Sequence, residues 1–164
     1  MAFYGSASPA DRAFAALAYI LPLYVGFTLK PSLVDDFPFI NILALPALPL
    51  VVLKGAIPYG DFIVFLALLF FVIRNPKVNY FIRFNVMQAI LLDIALVLVN
   101  LILGYLLRPA LGSLGGGFML ETLTNMFFLA TIAAVGYGVF KSVQGTLADE
   151  IPAISEAARM QMPY

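Results

Sequence analysis

The 164-residue chain contains no cysteine, no histidine and no tryptophan. Without cysteine there is no disulfide, no thiol nucleophile and no thiolate metal ligand. Without histidine the commonest general base and the commonest ligand of transition metals and haem are missing too. Charge is also scarce. Only 11% of residues are Asp, Glu, Lys or Arg, and nine basic residues balance nine acidic ones to a formal net charge of zero. A soluble domain has roughly a quarter of its residues charged, and no basic surface here invites nucleic acid. What is present is apolar: 63% of residues are hydrophobic and the mean hydropathy is +1.00. Several uncharged runs reach about 17 residues or more, near the length that crosses a ~30 Å hydrocarbon core. They lack the period-two alternation of a membrane barrel, so the fold class predicted is an all-α integral membrane protein.

Met1 to Arg12, MAFYGSASPADR, has no positive stretch ahead of an apolar core and is too short and arginine-poor for an organelle transit peptide, so no presequence is expected there. Ser8-Pro9-Ala10-Asp11 supplies capping residues before the first apolar run, Ala13 to Leu29. Pro22 in the middle of that run predicts a kink. Phe37 to Leu53 is long enough to cross but contains Pro38, Asn41, Pro46 and Pro49, which favours a broken or re-entrant segment. The uncharged part of the next run, Phe62 to Ile73, would reach only about 18 Å at 1.5 Å per residue. The bundle then has four spans if 37–53 is re-entrant and five if it crosses. Either way, Arg12 or Lys30 joins Arg74, Lys77, Arg83, Lys141 and Arg159 on one side, a six-to-three bias that predicts an inside-facing Arg74–Arg83 loop.

The stretch with the most chemistry is Tyr80 to Asn100, YFIRFNVMQAILLDIALVLVN, in which a membrane-length run carries Arg83, Asn85, Gln88, Asp93 and Asn100. An Asp or Arg near the centre of a membrane helix costs about 2.5–3.5 kcal/mol, so such groups face partners, water or the membrane surface. At roughly 100° per residue, Asn85 and Gln88 are neighbours while Asp93 and Asn100 share a face. Arg83 is expected to snorkel to the interface beside Tyr80. Two readings stay open: these groups bond neighbouring helices, or they line a hydrated or subunit-lined cavity.

In the last span, Ala130, Ala134, Gly138 and Ser142 recur every four residues and predict a helix-packing seam. Gly112 to Gly117 is a flexible connector without the ending of a phosphate loop, and the tail from Ala148 is mildly amphipathic and expected to be peripheral. Asp35-Asp36 has no further oxygen ligands around it, and Asp93 has no second carboxylate at its depth. No enzyme, cofactor or metal centre is therefore expected.

Arg83-Phe84-Asn85-Val86-Met87-Gln88-Ala89-Ile90-Leu91-Leu92-Asp93, preceded by Arg74-Asn75-Pro76, resembles the signature of the Tic-twenty family. Those proteins are the twenty-kilodalton subunit of the chloroplast inner-envelope translocon and its cyanobacterial and plastid-encoded relatives. Leu21-Pro22-Leu23, Ile57-Pro58-Tyr59-Gly60, Ile151-Pro152 and Glu156-Ala157-Ala158 are similar to the family's corresponding stretches in the same order. The resemblance implies a single domain over 1–164, with four transmembrane helices near 13–29, 58–74, 84–107 and 119–142 and an additional broken or re-entrant segment at 37–53. It also implies stromal or cytoplasmic termini, a role in the path of unfolded preproteins, and partners that include other translocon membrane subunits and membrane lipids.

Overall fold

The structure of the chain, a computed structural model, describes residues 7–162. Met1–Ser6, the first half of the stretch expected to lack a presequence, and the last two residues lie outside the described residues. All regular structure among the described residues is helical. Four helices are long and apolar enough to cross a membrane: Pro9–Thr28, Pro38–Ala56, Tyr80–Ser113 and Gly117–Gln144.

The first of these is two helices, α1 (Pro9–Ala18) and α2 (Ile20–Thr28), broken at Tyr19. The cause is Pro22, which has no N–H to give to the carbonyl of Ala18. The Tyr19 amide turns back instead to Ala16 O at 3.2 Å. At the start of α1 the expected cap is a reciprocal box: Ser8 Oγ accepts from Asp11 N at 3.2 Å and Asp11 Oδ2 accepts from Ser8 N at 2.9 Å. After α3 (Ser32–Asp36), the Pro-rich stretch is broken as expected. Pro38–Ala47 is a 3₁₀ helix with Pro46 inside it, and α4 (Leu48–Ala56) follows in α form. Next comes the shorter α5 (Gly60–Ala67), which continues as the wide π turns of Leu68–Ile73.

The segment α6 (Tyr80–Leu101) runs through a second π stretch, Ile102–Leu107, into α7 (Arg108–Ser113). The next helix, α8 (Gly117–Gln144), ends where Gly145 adopts φ 76° and Thr146 N closes on Lys141 O at 3.0 Å. The tail forms α9 (Ile154–Gln161). It is not peripheral, because it packs on α6 with Ser155 and Ala158 buried.

In the packing order, α1–α2 lies between α6 and α8, and each of those contacts it more extensively than they contact one another. Side-chain ties define two ends. At the terminal end Asn79 Nδ2 donates to Asp11 Oδ2 at 3.2 Å and Arg12 reaches Val143 O at 3.4 Å. At the far end Asn100 Nδ2 donates to Thr28 Oγ1 at 3.3 Å, and α3 is held to α8 by Ser32–Glu121 at 2.7 Å and Leu33–Asn125 at 3.3 Å.

The buried stripe of α8 is Thr124, Phe128, Thr131, Val135, Gly138 and Ser142. Of the expected seam, Gly138 and Ser142 lie on it, while Ala130 is exposed and Ala134 only half-buried. A strict four-residue ladder advances about 40° per step around a helix, so over three steps it winds off a straight contact line that alternating steps of three and four keep to. Gly138 is the tightest point, since a Cβ there would clash with the Tyr19 ring. Gly138→Ala is therefore expected to cost about 1–3 kcal/mol through overpacking. Ala130→Val should be nearly neutral, and thermal unfolding of the two purified variants checks the contrast.

Candidate functional site

The five polar residues of α6 are divided by depth. Asn85 is fully buried at the crossing of three helices. Its Oδ1 accepts from Tyr19 Oη at 3.0 Å and lies 3.3 Å from Ser142 Oγ, while its Nδ2 donates to Phe81 O at 2.9 Å. Ser142 Oγ also donates to Gly138 O at 2.7 Å, which leaves the Tyr19 hydroxyl as the principal donor to Asn85. One amide thus joins α1–α2, α6 and α8. An unmade hydrogen bond in such surroundings costs about 1–3 kcal/mol, so these groups hold their helices in register.

Gln88, one turn on, is also fully buried, and its partner is the tail: Nε2 donates to Ser155 Oγ at 3.3 Å. Ser155 Oγ in turn donates to Ala148 O at 3.1 Å and accepts from Ile151 N at 3.1 Å, tying α9 and its connection to α6. Gln88 Oε1 has no hydrogen-bond partner among the described residues. Arg83 does not snorkel. It is buried, and its Nε donates to Ile73 O at 2.7 Å, where the carbonyls at the end of the π turns attract a cation.

The other two, Asp93 and Asn100, lie toward the far end on a different face. Asp93 Oδ1 is buried without a hydrogen-bond partner among the described residues. Lys54 was legible in the sequence only as one of the three basic residues opposite the Arg74–Arg83 loop. It is buried, 2.5 Å from Asp61 Oδ1 and 4.7 Å above the Tyr24 ring. Next to this pair a cavity of about 430 Å³ opens between Tyr24, Thr28, Asp61, Asn100 and Tyr105. A second hollow, about 650 Å³ and lined only by apolar side chains, lies between Leu17 and Leu21 of α1–α2, Leu50 of α4 and Leu68 and Val72.

Among the described residues no cluster of three metal-ligating side chains occurs. Among the described residues these side chains form no nucleophile–base pair. The arrangement separates a sealed polar centre, Tyr19–Asn85–Ser142 with Gln88–Ser155, from an open polar cavity about Asp61 and Asn100. Sequence reasoning missed Tyr19, Lys54 and Ser155. The only clue to Tyr19 was its place three residues before Pro22.

Fold and site together define a polytopic α-helical membrane protein stabilised by buried side-chain hydrogen bonds. The family pattern described as chloroplast import apparatus Tic20-like matches residues 10–158, and the chain belongs to that family. It is 41% identical over 164 residues, the whole of both chains, to a Tic20 family protein of Synechocystis sp.. It is 30% identical over 157 residues to the protein TIC 20-v, chloroplastic, of Arabidopsis thaliana, covering 96% of this chain and 73% of that one. To the Tic20 family protein Ycf60 of Gracilaria tenuistipitata var. liui it is 35% identical over 158 residues, covering 93% and 75%.

The Tyr19–Asn85 bond should appear as a coupling in a double-mutant cycle. Tyr19→Phe and Asn85→Leu are expected to couple by about 0.6–1.7 kcal/mol in unfolding free energy, the range of hydrogen bonds between membrane helices. Tyr19→Phe with Asn100→Leu should show no coupling.

Proposed function

We propose that the chain is a membrane subunit of a preprotein translocon and forms one wall of the conducting path, in the chloroplast inner envelope or an equivalent cyanobacterial membrane. Its membership of a family named for the import apparatus supports this reading. The observation that carries it is the division of polar groups. The middle of the bundle is closed by the chain's own Tyr19, Asn85, Gln88 and Ser142, so a path does not run through it. Two polar hollows stay open, one about Arg74 and Gln161 and the far-end cavity about Asp61, Asn100 and Tyr105; at the far-end cavity an unfolded chain meets a wall completed by other subunits.

Charge supports the orientation. Arg12, Arg74, Lys77, Arg83, Lys141 and Arg159 gather toward the terminal end, and Lys30, Lys54 and Arg108 toward the far end. The basic-residue rule then turns the terminal end toward stroma or cytoplasm.

A second reading, a purely structural or assembly subunit, draws on the sealed knot itself. Under it Asp93→Asn lowers the abundance of the assembled complex and leaves transit per complex unchanged. The two readings part in a crosslinking experiment with a preprotein arrested in transit. Photoreactive residues at Asn100 and Tyr105 are expected to give adducts with the preprotein, and one at Gln88 none. Adducts confined to neighbouring subunits would contradict the path and leave the assembly role.

A further inference from the structure

The helix Gly60–Ile73 has eight α-helical residues followed by six in π form. At 1.5 Å per residue it rises at most about 21 Å, against ~30 Å of hydrocarbon. The two long helices after it have 34 and 28 residues. Yet the short one has to make a crossing. Thr28 of α2 is tied at the far end, and Asn79 at the start of α6 is tied at the terminal end, so the chain between them changes ends an odd number of times.

The Pro-rich segment does not supply that change. It leaves α3, which is bonded to α8 at the far end, and finishes with Lys54 against Tyr24 and Asp61, still in the far half. Asp61 shares its cavity with Thr28 and Asn100, whereas Ile73 O is held by Arg83 close to the start of α6. Gly60–Ile73 connects the two levels.

Charges sit at both ends of this helix, Asp61 in its first turn and Arg74 directly after its last. Lys54, the partner of Asp61, is buried, but the Asp61 side chain stays 74% exposed, and Phe62, Ile63, Phe70 and Phe71 on the same helix are exposed apolar groups. An outward-facing carboxylate is too costly to leave in hydrocarbon, and a helix shorter than the bilayer draws the headgroups inward at modest cost per ångström. We propose that Gly60–Ile73 crosses the membrane as an undersized helix and thins the bilayer along its exposed face, bringing water and headgroups to Asp61 from one side and to Arg74 from the other. The thinned strip borders the apolar hollow, because Val64, Leu68 and Val72 belong to both. This deformation of lipid stands independently of the translocon reading.

The absence of cysteine makes the test direct. The full chain is placed in nanodiscs of phosphatidylcholine with eighteen-carbon acyl chains, with a single cysteine at Ile63 or at Leu129. Leu129 is an exposed residue of α8 close in height to Thr131, which meets Gly26 of α2. A water-soluble maleimide is expected to label Ile63→Cys about tenfold faster than Leu129→Cys, because only the first borders thinned lipid. In fourteen-carbon lipid, where the whole bilayer is thin, the ratio should fall toward one. Equal protection of both sites in eighteen-carbon lipid overturns the proposal. So does a ratio that ignores acyl length, since labelling would then come through a crevice in the protein.

Discussion

One missing amide hydrogen organises this bundle. Pro22 withholds a hydrogen bond from the carbonyl of Ala18, the first membrane helix breaks at Tyr19, and the break turns that side chain inward between α6 and α8. The Tyr19 ring then needs a surface without side chains, which Gly138 supplies, and its hydroxyl needs a buried acceptor, which Asn85 supplies. Lipid offers no hydrogen bonds, so a polar group turned inward in a membrane bundle stays satisfied only while its partners stay in register. Proline, tyrosine, glycine and asparagine on three helices are therefore a single device.

A second polar device lies one turn further along α6, where Gln88 holds the tail through Ser155. Together they close the interior of the terminal half, and Arg83 extends the closure to the end of the short helix by bonding Ile73 O. The far half is built differently. There Lys54 pairs with Asp61 beside an open cavity, and helix length becomes uneven around the bundle. A closed polar crossing in one half and an open polar cavity in the other give one small chain both an anchor and a surface for other molecules.

Much of this was legible in the sequence. Pro22 announced the break, the capping residues Ser8 to Asp11 announced the start of α1, and the costly amides Asn85 and Gln88 announced that something must meet them. The eleven residues from Arg83 to Asp93 were enough to indicate the family. What pattern could not reveal were partners distant in sequence: Tyr19 lies 66 positions from Asn85, and Ser155 lies 67 from Gln88. The burial of Lys54 was not legible because it depends on α4 folding back toward Tyr24. Arg83 read as a snorkelling residue because the free carbonyl it bonds belongs to another helix. Ala130 and Ala134 were placed on the seam by an interval that drifts around the helix, an error of geometry and not of chemistry.

The central claim is that the Tyr19–Asn85–Ser142 crossing is dry and satisfied within this one chain. Ser142→Cys tests it most directly, because the exchange hardly changes volume and the chain has no other thiol. In native membranes a water-soluble maleimide should leave Ser142→Cys unmodified until the protein is unfolded, while Asn100→Cys, beside the open cavity, reacts readily. Labelling of Ser142→Cys in the folded protein at the rate of Asn100→Cys would mean that water fills the crossing of the three helices.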